Sequence, residues 1–377
     1  MKFRYLFVII FLLLPLAVFA QDNNEQTVEE GENFEAKIVE VLDQKEITRE
    51  NGSKAIQQNL KLKALTGRLK GKEVIFQGIS DLEVISAGIY KKGDKVVVNH
   101  IKNADGLDEF YVMDYVRRGY LYLLAGIFGA VIVLIGRWKG IKALLGLIVS
   151  FFIIMKYIVP QILAGGNPLT VSLIGSFTIL ATLIYFTEGW GKKSHIAMVS
   201  IFFSLVLTLI LSIIFTKVAR LSGLAQEEAL FLIGMSKVAI DFRGLLLAGI
   251  LVGTLGVLDD GVVSQIEAVE QIKEANPKLS KSQIFKSAFV VGNTHLGAIV
   301  NTLFLTYAGA SLPLLLLFTL NQSSSFGYDS ILNNQAIATE IVRTLVGSIG
   351  VAMSLPIATF LASYYIGRKK CLKNEAE

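Results

Sequence analysis

Cysteine, histidine and charge are all scarce in this chain, and each scarcity closes off a class of function. One cysteine, Cys371, excludes an intrachain disulfide and a cysteine-based zinc site. The three histidines, His100, His195 and His295, lie far apart and show no ligand spacing. No Ser-x-x-Lys, nucleophile elbow or P-loop is present. A redox, zinc or hydrolytic enzyme is therefore not expected, and neither a cofactor nor a metal is read here. Charged residues are 18% of 377 positions, against about 25% in soluble domains.

What is abundant is apolar. Hydrophobic residues are 53% of the chain and mean hydropathy is +0.57, so much of it belongs in lipid. The net charge of +5 then reflects cytoplasmic loops rather than nucleic-acid binding.

Residues 1–20 have a basic start, an apolar run and a Val18-Phe19-Ala20 end, the layout of a signal peptide cleaved after Ala20 or of an N-terminal anchor. Residues 21–33 are acidic and polar and read as a disordered tether. Residues 34–116 alternate in short runs, FEAKIVEVL, IQQNLKLKALTG, KEVIFQGI, LEVISAGIY and DKVVVNHI, with turns at Lys70-Gly71-Lys72 and Lys92-Gly93-Asp94. They predict a small extracytoplasmic β domain, an OB-like barrel first of all.

Residues 117–368 form a multi-pass membrane domain, and 369–377 a cytoplasmic tail. Spans are expected at Tyr120–Ile135, Ile141–Val159, Leu169–Phe186, Ile196–Thr216, from Gly244, at Ile284–Tyr307 and at Thr344–Ile366. Residues 217–243, around ALFLIGM, suit an interfacial helix, and Leu312–Leu320 is too short to span. Seven spans put the basic turns at 137–142, 192–193, 273–286 and 368–373 on one side, as the positive-inside rule asks. The expected fold class is an α-helical polytopic protein of a bacterial plasma membrane, with the β domain outside and the C-terminus inside. Gly136–Gly140 and Lys192-Lys193 read as topology anchors, and Glu340 with Arg343 as an interfacial ion pair.

The chain's most informative stretch is Gly244 to Ala275. It starts as an apolar helix, carries Asp259 and Asp260 well inside it, and continues into a charged end. Steps of four and three residues place Gly249, Gly253, Gly256, Asp260, Ser264, Glu267 and Gln271 on one face. The small half of that face, Gly249, Gly253 and Gly256, is expected to let a neighbouring helix approach closely. A carboxylate in a bilayer costs about 2.5–3.5 kcal/mol on insertion scales, so it normally faces a partner or water. The alternative is that both aspartates sit where the helix leaves the membrane. On the next helix Asn293, Thr294, His295 and Asn301 are the candidate partners, with Asn293, Gly297 and Asn301 four apart.

These residues resemble the YibE/F family of bacterial membrane proteins over nearly the whole chain. The similarity includes the β-rich head, Asp114-Tyr115-Val116-Arg117-Arg118, Gly136-Arg137-Trp138-Lys139-Gly140 and Pro160-Gln161-Ile162-Leu163-Ala164-Gly165. It continues through Asp259-Asp260 with Ser264-Gln265, Asn301-Thr302-Leu303 and Tyr307-Ala308-Gly309. No activity follows from that resemblance. Residues 248–318 also look like the last third of SecF-type proteins, relatives of the resistance-nodulation-division permeases, through Gly256, Asp259-Asp260, Val262-Val263, Pro277-Lys278-Leu279-Ser280, Asn293-Thr294 and Thr302-Leu303. That similarity implies proton coupling at Asp259 or Asp260. The chain departs from the pattern in lacking an apolar-Asn pair before the aspartate and in having extra spans upstream.

Two functions are therefore expected to compete. The first is a permease or proton/cation-coupled membrane component using Asp259 and Asp260, since adjacent carboxylates in low dielectric do not both ionise easily. The second is a scaffold or accessory subunit whose exported β domain recruits a protein partner. Beyond the lipid bilayer, the expected partners are a protein bound by the exported β domain and either a second copy or a paralogous membrane subunit, with no nucleic acid. Intramembrane aspartyl proteolysis is not expected, because Tyr328-Asp329 falls in a polar loop.

Overall fold

The computed structural model describes residues 32–48, 54–79, 89–103, 106–235, 238–320 and 332–366. The signal or anchor, most of the tether, the strand expected at LEVISAGIY and the terminal Arg-Lys-Lys lie outside those residues, apart from Ile89 and Tyr90. Glu32 and Asn33, placed in the tether by sequence, are instead paired with His100 and Asn99 in the first strand.

The head is one antiparallel sheet of β1 (Glu32–Thr48), β2 (Lys54–Ala64), β3 (Glu73–Gln77), β4 (Lys95–Lys102) and β5 (Asp108–Tyr115), in the order β3-β2-β1-β4-β5. The sheet curls so that β3 approaches β5, giving a half-barrel. Alternation drives it. Phe34, Ala36 and Ile38, Leu60, Leu62 and Ala64, Val74 and Phe76, and Val96 and Val98 all point into the core. Gly71 and Gly93 take positive φ in the two expected turns, where a side chain would be strained. β5 corrects the sequence expectation, which has no strand after DKVVVNHI: Asp108–Tyr115 pairs antiparallel with β4. Tyr90 is buried and clamped by Gln58, which accepts from its N–H at 2.8 Å and donates to its carbonyl at 3.1 Å.

The remaining elements are helical. They are α1 (Arg118–Ile153), a π-helical turn (Ile154–Ile158), α2 (Val159–Leu163), α3 (Pro168–Thr187), α4 (Lys192–Val218), α5 (Glu227–Met235), α6 (Phe242–Ala275), α7 (Lys281–Ala310), α8 (Leu312–Leu320) and α9 (Gln335–Ile366). Among the described residues six stretches are long and apolar enough to cross a membrane: Arg118–Leu163, α3, α4, α6, α7 and α9. The first contains a reversal. Arg137 has φ 47° and ψ −126°, and Gly140 leaves no room for a Cβ against the Ile132 carbonyl. Residues eight apart in a straight helix would be about 12 Å distant, so the chain folds back at Arg137. The π turn precedes Pro160, which has no N–H to return to the Lys156 carbonyl.

α9 starts at Gln335, nine residues before the expected Thr344, because the Asn334 side chain accepts from the Ala336 N–H at 2.9 Å and caps it. α7 begins with a capping box between Ser280 and Gln283. α6 is the hub of the bundle, packed against α3, α4, α7 and α9. Its buried residues Leu251, Leu255, Leu258, Val262 and Ile266 join Leu180, Ile184, Ile201, Leu205, Val351 and Ala358 in one core. Large apolar side chains such as Phe202, Phe203, Ile210 and Phe360 stay exposed, as a lipid-facing exterior requires. The protein is an integral membrane protein with a β head.

Candidate functional site

The geometry begins with α6. Asp241 caps its start by accepting from the Gly244 N–H at 3.0 Å, and 34 helical residues then run without a break past both aspartates. Asp259 and Asp260 differ sharply in surroundings. Asp259 is half-buried, with Oδ1 enclosed and, among the described residues, without a hydrogen-bond partner, while Asp260 is exposed. An enclosed carboxylate oxygen with no donor is costly unless a proton, a cation or water meets it. Asp260 and Glu188, at the end of α3, lie within electrostatic reach of it.

A small pocket opens one helical turn from Asp259, where Val263 follows it by four residues. Glu188, Lys193, Ser194, Ala197, Val263, Ile266 and Glu267 line it. Lys193 at the start of α4 holds the rim, bonding Glu267 at 2.7 Å and pairing with Glu270. Lys193, expected only as a topology anchor, thus ties α4 to the polar end of α6. Beside it Tyr185 stacks on Trp190 at 4.4 Å, and its hydroxyl meets His195 Nδ1 at 2.8 Å.

The row Gly249, Gly253, Gly256, Asp260, Ser264 and Glu267 is exposed along its whole length. Of its three glycines, Gly253 meets the Tyr307 hydroxyl of α7, whereas open space lies over Gly249 and Gly256, and at the polar end Glu267 reaches Lys193 of α4. The expected packing face is corrected accordingly. Close approach occurs instead at Gly292 against Gln265, Gly347 against Thr254 and Gly350 against Thr208. The physical reason is that α6 turns its larger apolar face to four helices and leaves the small row outside.

Asn293, Thr294, His295 and Asn301 are likewise exposed, while α7 buries Ile284, Ala288, Gly292 and Leu303. No hydrogen bond joins any of the four to Asp259 or Asp260, and Thr294 bonds back to the Val290 carbonyl. Among the described residues no group of His, Cys, Asp and Glu side chains converges as a metal site.

Two features escaped the sequence reading. Gln265, 3% exposed, donates to the Ala288 carbonyl and to Thr359 Oγ1, both at 2.8 Å, and so joins α6, α7 and α9. On α4, Ser200, Ser204, Thr208 and Ser212 are fully buried and each bonds the carbonyl four residues back. Their spacing of four within an apolar run was the available signal. Glu340 and Arg343, 3.6 Å apart, form the expected pair on α9, with Gln226 3.4 Å from Glu340.

A family profile described as YibE/F-like protein matches residues 124–368. No curated protein and no solved structure matches the chain, so the similarity to SecF-type proteins gains no support from them.

Proposed function

The chain belongs to the YibE/F-like family, and from that premise we propose that it is a permease or proton/cation-coupled membrane component working through Asp259 and Asp260. The carrying observation is the Asp259 Oδ1, enclosed on the hub helix with no donor among the described residues. A carboxyl there is suited to hold a proton or a cation in low dielectric. In this reading Asp259 is loaded from the pocket bordered by Glu188, Lys193 and Glu267, and Asp260 serves the open side of α6. His295 and the asparagines of α7 then act only where water or another chain reaches them.

The proposal counts Arg118–Leu163 as two spans, seven in all, in a bacterial plasma membrane. The lysine-rich ends of α4, α6 and α7 and the C-terminus are cytoplasmic, and the head is exported behind a cleaved signal. The head is OB-like, a reading supported by the strand order and the approach of β3 to β5. It binds substrate or a protein partner outside. Proton flux into vesicles carrying the full chain tests the core claim. Asp259→Asn is expected to lower flux about a hundredfold or more, the scale of a lost proton-transfer group, and Asp260→Asn less. Unaltered flux in both variants would overturn it.

A further inference from the structure

Lipid cannot satisfy the face that α6 and α7 leave open. Asp260, Asn293 and Asn301 are exposed on membrane-spanning helices, and no hydrogen bond among the described residues reaches their side chains. In hydrocarbon each such group costs several kcal/mol, so something must meet them. The groups also form one surface. Asn293, Val300 and Tyr307 are seven residues apart and share a side of α7, and Tyr307 abuts Gly253 in the open row of α6. That side continues into Gly297 and Asn301, whereas His295 lies across the helix.

From this we infer that the face binds a second copy of the chain, with the two copies related by a two-fold axis along the membrane normal. The depths carry the argument. α6 and α7 are antiparallel, with Gly253 level with Tyr307, Gly261 with Ile299, and Gln265 with Gly292. Asn301 is therefore level with Asp260, and Asn293 with Ser264 and Glu267. An axis along the normal pairs equal depths, so Asn301 of the second copy donates to the Asp260 carboxylate, and the same contact repeats in reverse. Asn293, which both donates and accepts, meets Ser264 in the same way. Gly249, Gly256 and Gly297, over which open space lies, let the backbones approach. The inference does not depend on whether Asp259 carries charge.

The test uses full-length chains with Cys371→Ser, two tags and native membranes. One tagged chain carries Asp260→Cys and the other Asn301→Cys. Oxidation is expected to give a mixed-tag dimer, while Phe203→Cys, on the exposed face of α4, gives none. Asn301→Leu is expected to weaken self-association of the labelled chain in liposomes about eightfold, the scale of the two symmetry-related interhelical hydrogen bonds it removes. Because Asn301 is exposed, folding is kept, and Asn293→Leu provides an independent second variant. Failure of the mixed-tag crosslink, together with labelling of Asn301→Cys by a membrane-impermeant maleimide, would show a water-filled groove and overturn the inference. So would unchanged association in both leucine variants.

Discussion

Among the described residues, the β head buries two polar side chains, Gln57 and Gln58, whereas α4 alone buries Ser194, Ser200, Ser204, Thr208, Ser212 and Thr216. The outsides differ in the opposite sense. The head presents lysines and glutamates such as Lys61 and Glu73, paired at 2.8 Å, and the bundle presents phenylalanine and isoleucine. Water explains the contrast. The head gains free energy by hiding Leu60, Leu62 and Val96 from solvent. Between helices in lipid that gain vanishes, and close packing of small residues with short-range hydrogen bonds takes its place. The same amino acids therefore do different jobs in the two regions.

The sharpest way to break this comparison is to truncate each region at its own strength. Leu62 is fully enclosed in the head. Leu62→Ala is expected to destabilise the head by about 2–5 kcal/mol, through lost transfer energy and a residual cavity. Hydrogen exchange of β1, β2 and β4 in the intact chain reads it. The loss should stay within the sheet, with exchange along α4 unchanged. Spread into α4 would mean that the two regions do not fold on separate principles.

Gln265→Leu probes the bundle. It keeps the volume near Gly292 but removes the two hydrogen bonds to Ala288 and Thr359. The expected loss is about 1–2 kcal/mol, the range for polar contacts between membrane helices, measured as a lower midpoint of unfolding in mixed micelles. A larger loss than that of Leu62→Ala would reverse the ordering.

The same contrast explains what could be read ahead of the structure. β1 to β4 were legible because water on one face enforces alternation, and the apolar spans because lipid enforces length. β5 was not, since Phe110 and Val112 turn inward while Tyr111 and Met113, also apolar, turn outward. The row through Gly249 and Asp260 was found correctly by its period, but a period does not say which face meets a neighbour. In lipid both small and large apolar faces are tolerated outside, so the packing choice of α6 was invisible. Serine and threonine are nearly neutral in hydropathy, which hid the row on α4 despite its regular spacing. Gln265 was noticed only as part of a motif, because nothing local to it reveals a junction of three helices.

The smallest expected effect concerns pH, and it belongs to the head. A hydrogen bond from Lys61 holds the Glu73 carboxyl below its ordinary value of 4.5, and one from Arg117 holds Asp114 below 3.8. Both pairs are exposed, so solvent screens them and each contributes little. A carboxyl with a depressed folded value binds fewer protons in the native state than in the unfolded one. Its contribution is therefore complete above the ordinary carboxylate range and is lost as pH falls from about 4.5 downwards. Protection factors of β2 and β3 amides are expected to decline modestly across that window, and Glu73→Gln should flatten the decline. Residues 200–212 of α4 carry no titratable group, so their protection should not follow the same curve. If it did, charge on the head would be stabilising helices, and hydroxyls and close packing would not be their main source of cohesion.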